Sequence, residues 1–349
     1  MTPRDLGELR LAVLNPGGRD PEQDFSEGAD APDSKLHAPV NFHAYAACTG
    51  GIFFRDAKRA IDHAAPVLLL LRGDFRASLR VLIELKKQKR TVAVSLKETG
   101  RHQMAEQLGD ANKLELFRRA MGEADGCIAS TREAVEVYRA FRSNADAETV
   151  EFIPTPYPVE DNSWNFSRPL SERSGIFVGT REWDVSSRNH LAALLLARRL
   201  GEETAEPATV FNLDRRKGER RLRELGFPRG KIRILQRRLP YIEYLREVAK
   251  HKIVLQLDTS CVPGQIAGDA LLCRVPCVGG NGAVERLVFP STCGVGRETE
   301  DLEEVAKRLL EDAGFYDEIV RQSQAAAVKL LSFGAVRKQL EKFFVRIAG

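Results

Sequence analysis

Four groups of residues in this chain have the type and spacing to bind an anion. The first lies between Lys252 and Pro290, where a short apolar run (Ile253, Val254, Leu255, Leu257) leads into a loop with Pro263 and Gly264. A segment with apolar residues at helical spacing follows (Ile266, Ala267, Ala270, Leu271, Leu272), then a second strand, Val275–Gly279, running into Gly280 and Gly282. A glycine-bearing loop that opens a helix supplies backbone N–H groups and the positive end of the helix dipole, so Gly264 and Gln265 are candidate phosphate ligands. Arg188 is the second group. It stands at the start of a helix over Leu191–Leu200, where a cation opposes the helix dipole unless a phosphate offsets it. Gly17 and Gly18 are the third: they end a strand at Leu11–Asn15 and let the backbone approach a ligand or a helix start. The fourth is the basic run Arg215-RKGERRLRELGFPRGK with Arg233-ILQRR after it. It reads either as a solvated face or as attraction to phosphates on a ligand, an anionic membrane surface or a nucleic acid.

Other chemistries find no support in the spacing. There is no GxGxxG after a strand, no GxxxxGK[ST] loop and no arguable Ser-His-Asp arrangement. The six cysteines (Cys48, Cys127, Cys261, Cys273, Cys277, Cys293) form no CxxC pair, and no histidine lies near Cys273 and Cys277. That argues against zinc and for reduced thiols in a cytoplasmic protein.

The elements that must position these groups alternate regularly. Strands are expected at Val67–Leu71, Thr91–Leu96, Asp125–Thr131 and Val150–Ile153, with helices at Asp56–Ala64, Arg76–Lys87, Gln103–Met121 and Glu133–Phe141 between them. The strand at Thr91–Leu96 delivers Lys97 and Glu98 at its carboxyl end. Residues 19 to about 40 are polar, acidic and proline-bearing, and read as a long mobile loop. The Pro-rich stretch Pro154–Pro169 is the best linker. A second set of elements starts at Ser174–Thr180, with strands at Thr209–Leu213 and Ile232–Leu235, a helix at Tyr241–Lys250 and a helical tail over Leu302–Ala348. Strands alternating with helices in this way give an α/β fold class, two doubly wound, Rossmann-like parallel-sheet domains with a cleft between them. A length of 349 residues suits two domains, and 43% hydrophobic with 29% charged residues is the composition of a soluble globular protein. The longest apolar run, Val67–Leu71, is too short to cross a bilayer, and Met1–Arg10 has no signal-peptide core.

Three stretches resemble the large retaining family of nucleotide-sugar-dependent glycosyltransferases of the GT-B fold (glycosyl transferases group 1, family 4-like). Ala124-DGCIASTREAVEVYRAF with VEFIPTPYPVED looks like that family's end of domain one. Gly175-IFVGTREWDVSSRNHLAALLLA looks like its opening of domain two. Asp258-TSCVPGQIAGDALLCRVPCVGG resembles its Glu-x7-Glu motif, here degenerate: the paired glutamates fall on Cys261 and Asp269. The resemblance covers most of the chain and is strongest from about Asp125 onward.

The resemblance implies an N-terminal acceptor-side domain over 1–155, a nucleotide-sugar domain over 172–330, and a C-terminal helix over 331–349 packing back on the first domain. It implies donor binding by Arg181, Arg188, Gly264, Gln265 and Asp269, with Arg188 on the phosphates and Asp269 on the ribose hydroxyls. Gly17 and Gly18 would face the acceptor or the donor phosphates. The family's domain-one histidine has no counterpart here, Lys97 and Glu98 occupying its neighbourhood, so Glu98 joins Arg188 as a candidate catalytic group. The implied chemistry is sugar transfer with retention, without metal or cofactor, from a UDP- or GDP-sugar co-substrate to an acceptor that is a glycan, lipid, protein or nucleic acid. Two alternatives stay open. Cys261 in place of a carboxylate suits a nucleotide-sugar-binding or scaffold protein that lost the chemistry, and the Arg215–Arg238 cluster suits an enzyme acting on nucleic acid.

Overall fold

The computed structural model describes residues 9–29, 36–63, 65–142 and 148–348. The signal-peptide reading rests largely on residues 1–8, and the loop read over 19–40 includes residues 30–35; both stretches lie outside the described residues. The chain forms two compact units, one of Met1–Pro158 with Leu331–Gly349 and one of Val159–Leu330.

The first unit is built on seven strands: β1 (Ala12–Leu14), β2 (Gln23–Asp24), β3 (Ile52–Phe54), β4 (Val67–Leu71), β5 (Val92–Leu96), β6 (Gly126–Ala129) and β7 (Val150–Phe152). Their order is β2-β3-β1-β4-β5-β6-β7, parallel throughout except for β2 against β3 at the edge. Successive side chains of a strand point to opposite faces, and both faces of this sheet are covered. Leu14, Leu69 and Leu71 therefore join one apolar cluster while Leu11, Val13, Leu68 and Leu70 join another. Helices α1 (Phe42–Ala47), α2 (Ala57–Asp62), α3 (Arg76–Lys87), α4 (Arg101–Leu108), α5 (Ala111–Glu123) and α6 (Arg132–Ala140) connect the strands. The single helix expected over Gln103–Met121 is in fact two. The chain leaves α4 at Gly109, and the Asp110 carboxylate accepts from the Lys113 N–H at 2.9 Å, capping a new helix start.

The second unit holds β8 (Ile176–Val178), β9 (Ala208–Phe211), β10 (Ile232–Leu235), β11 (Ile253–Leu255) and β12 (Cys277–Val278), all parallel in the order β10-β9-β8-β11-β12. Its helices are α7 (His190–Thr204), α8 (Arg216–Glu224), α9 (Tyr241–Val248), α10 (Gln265–Leu272), α11 (Ala283–Val288), α12 (Thr299–Glu311) and α13 (Ala313–Leu330). The chain builds outward from β8 to β10, then returns to place β11 on the other side of β8. Strand order reverses there, and a doubly wound sheet opens its ligand crevice at such a point, outside the carboxyl ends of the strands. Among the described residues no helix is long and apolar enough to cross a membrane.

Helix α14 (Phe333–Ile347) belongs to the first unit, placing Val336, Leu340, Phe343 and Phe344 in its core. Gly126 in β6 makes room for it, since a Cβ there would come within 2.8 Å of Phe343 Cζ. The outgoing and returning chains are paired by a hydrogen bond from Tyr157 N–H to Leu331 O, 2.8 Å long.

Candidate functional site

Two loops meet at the reversal point of the second unit. One follows β8 and carries Thr180 to Asn189; the other follows β11 and runs from Gln256 to Gly264. They are stitched together by Thr259 N–H to Ser187 O (2.8 Å), Ser187 Oγ with Ser260 Oγ (2.8 Å) and Asn189 Nδ2–H to Leu257 O (2.9 Å). Arg188 sits in a single 3₁₀ turn, Ser186–Arg188, and Asn189 at φ 47° separates it from α7. The cation therefore lies just ahead of the helix instead of in its first turn. Its guanidinium Nη1 donates to the buried Asp258 carboxylate, and Glu182 stands 3.9 Å from Nε, which makes no hydrogen bond. Asp258 Oδ1 also accepts from Ser260 N–H at 2.7 Å. An acid fixed by the backbone thus holds Arg188 in place, while the exposed Arg181 lies beside Glu182 at 3.8 Å.

The β11 loop ends at Gly264, whose φ of 92° is reached without strain only by glycine, and which starts α10 with no side-chain cap. A Cβ at Gly264 would collide with Glu285 Oε2. Glu285 is buried, its Oε1 accepts from Gln256 Nε2 at 2.6 Å, and its Oε2 has no partner. Burial pushes its carboxyl up to about 7, and the nearby Asp258 adds to the rise.

Asp269, expected to accept ribose hydroxyls, lies one turn into α10 and is buried. Tyr241 Oη–H donates to Oδ1 at 2.5 Å, and the Tyr244 hydroxyl also acts on this carboxyl, pulling its pKa down. Burial nevertheless dominates and pushes Asp269 up to about 7, against the downward pull of both tyrosines and Arg181. Cys261 is buried at φ 52°; its N–H donates to Asn281 Oδ1 at 2.8 Å, and Arg286 Nη2 reaches its Sγ at 3.1 Å.

The first unit carries the remaining candidates. Gly17, at φ 64°, follows β1, and its carbonyl accepts from Arg72 Nη1 at 2.7 Å; Gly18 is buried beside Asn15. Glu98 is exposed at the end of β5 and accepts from Gln103 Nε2 at 3.0 Å. Its neighbour Lys97 donates to Asp20 at 2.9 Å, and Asn15 Nδ2 reaches the same carboxylate oxygen at 3.1 Å.

Arg181, Arg188, Gly264, Gln265 and Asp269 thus share the carboxyl edge of one sheet, and Gly17, Gly18 and Glu98 that of the other. Sequence reasoning missed Asp258, Glu285, Tyr241 and Tyr244. Only Asp258 carried a usable signal, as an acid directly after the buried strand run.

Two doubly wound parallel-sheet units, each with its loops gathered at the carboxyl ends of the strands, define the GT-B class of fold. No family model matches the sequence, and no curated protein matches it. Solved structures match in fold, and they are glycosyltransferases of this class. The GtfA/B complex has a TM-score of 0.58 at 14% identity, over 85% of this chain and 61% of that one. A glycosyltransferase from Rickettsia africae has a TM-score of 0.58 at 10% identity, over 83% and 79%. A UDP-forming trehalose-phosphate synthase from Burkholderia xenovorans has a TM-score of 0.61 at 10% identity, over 82% and 74%. The chain thus spans less than two thirds of the GtfA/B chain.

Proposed function

We propose that the protein is a glycosyltransferase that moves a sugar from a nucleotide-diphosphate donor, a UDP- or GDP-sugar, to an acceptor, with retention of configuration. The observation that carries this reading is the placement, on the carboxyl edge of one GT-B sheet at its reversal point, of two arginines and the glycine-led start of α10. In this reading Arg188 and Arg181 meet the diphosphate, and the first backbone N–H groups of α10 complete the cradle. Charge that develops on the departing diphosphate is then offset by groups already in position, so little reorganisation is needed as the bond breaks. Asp258 keeps the Arg188 guanidinium from swinging into solvent.

The experiment is a thermal-shift panel of UDP-, GDP- and ADP-sugars, followed by donor turnover and the anomeric configuration of the product. A donor at a hundred times its dissociation constant adds about 2.7 kcal/mol of stability. Stabilisation by none of them refutes donor binding, and an inverted product refutes retention. A second reading, nucleotide-sugar binding without transfer, is favoured by the buried Asp269 carboxyl already accepting from Tyr241. Stabilisation without turnover, whatever the acceptor, would select it.

A further inference from the structure

Positive charge is segregated in this protein. Residues 213–238 hold 11 basic and 3 acidic side chains, a surplus of 8, out of 53 and 49 in the whole chain; the remainder carries 42 and 46, a deficit of 4. Part of the surplus is neutralised locally: Lys217 and Arg221 flank Asp184 at 2.7 and 3.7 Å, and Arg233 pairs with Glu247. Arg215, Arg216, Arg223, Arg229, Arg237 and Arg238 are exposed and have no carboxylate partner among the described residues. Helix α8 opens with Arg215, Arg216 and Lys217 at the positive end of its own dipole, and Arg216 and Arg220 stand one turn apart. Both arrangements are repulsive in the free protein. Gln236 Nε2 donates to Glu219 Oε1 at 2.9 Å and ties the loop bearing Arg237 and Arg238 to this helix.

An apolar pair adjoins the charge. Helix α7 runs beside α8: Asp184 and Trp183 join their starts, the Trp183 ring lying 5.2 Å from the Arg221 guanidinium and 4.5 Å from the His190 ring. Further along, Arg198 Nη1 donates to Leu225 O at 2.7 Å. Leu191 and Leu195 occupy the same stripe of α7 as Arg198 and are 53% and 45% exposed. We propose that this face, α8 with the 236–238 loop and Leu191 and Leu195, docks on an anionic lipid bilayer. The arginines meet lipid phosphates and the leucines enter the headgroup boundary. A nucleic acid would match the charge, but single-strand binding draws on exposed aromatic platforms. The exposed large hydrophobic side chains among the described residues are all aliphatic. The proposal does not depend on donor chemistry.

The test is co-flotation of the full chain with phosphatidylcholine vesicles, with and without phosphatidylglycerol. Binding should require the anionic lipid and fall with salt. The triple variant Arg216→Glu, Arg220→Glu, Arg223→Glu should lose at least about tenfold in partitioning. The pair Leu191→Ser, Leu195→Ser should weaken vesicle binding several-fold, roughly as loss of two half-buried apolar side chains requires, while leaving retention on a heparin column unchanged. All these residues are exposed, and unchanged circular dichroism confirms that the variants fold. Equal binding to neutral vesicles, no binding to anionic ones, or leucine variants that partition as the parent would overturn the proposal. Tighter binding to a DNA duplex than to anionic vesicles would assign the face to nucleic acid instead.

Discussion

Asp269→Asn should make the stability of the second unit less sensitive to pH. The carboxyl titrates near 7 in the folded protein because burial disfavours its charge, whereas an ordinary aspartate titrates at 3.8. Below about pH 4 both folded and unfolded chains hold the proton, and the site contributes its full stability. As pH rises toward 7 the unfolded chain releases the proton and the folded chain keeps it, so stability falls; above 7 the loss is complete. Each tenfold difference in proton affinity is worth about 1.4 kcal/mol, which puts the whole loss on the order of 4 kcal/mol. An asparagine keeps the acceptor for Tyr241 and removes the titration. His43 and His190, held by burial near 3 and 4, lose stability in the opposite direction, on acidification. The readout is therefore the difference between variant and parent. Both tryptophans, Trp164 and Trp183, lie in the Val159–Leu330 unit, so their fluorescence during urea unfolding at pH 5, 6, 7 and 8 reports that unit. The variant should gain on the parent across this series by about 2–3 kcal/mol. Parallel curves would mean that Asp269 is already ionised at neutral pH, and the buried-carboxyl reasoning would fail.

Three further outcomes follow from the geometry. Arg188→Ala should weaken nucleotide-sugar binding by about 2 kcal/mol, measured calorimetrically, because a charge-assisted bond to phosphate is lost. Gly264→Ala should destabilise the second unit by about 1–3 kcal/mol in urea titration, since alanine is strained at a positive φ, and the Cβ also meets Glu285. Phe343→Ala should lower the stability of the first unit by about 3–5 kcal/mol, the cost of emptying a fully buried phenylalanine site, read by calorimetry as a shift of that unit's transition.

Much of the architecture was legible because buried parallel strands read as short apolar runs, as in Val67–Leu71 and Ile253–Leu257. The motif around Gly264 was legible for the same reason, with its glycine marking a helix start. Elements with weak patterns were not. Strand β3 is three residues beside two glycines, and α8 shows only Leu222 and its C-cap Leu225 on its apolar side, so it read as a charge run. The break between α4 and α5 rests on one aspartate cap in a stretch whose periodicity continues across it. At the site, residue types could be named, but their partners could not. Asp258 lies 70 residues from Arg188, and Tyr241 lies 28 from Asp269. No local rule encodes a contact across such separations, and those contacts decide whether a cation or a carboxylate is already engaged.

The return of α14 to the first unit fixes an order of events during synthesis. A ribosome releases the whole of Val159–Leu330 before the last helix appears, so the second unit has all its strands while the first still lacks a wall of its core. Until Val336, Leu340, Phe343 and Phe344 arrive, the apolar face that includes Leu11, Val13 and Leu68 has no cover from that helix. The first unit, although its strands are made first, therefore completes its core last. Removing α14, or hindering its docking, would fall hardest on the unit whose strands are made first.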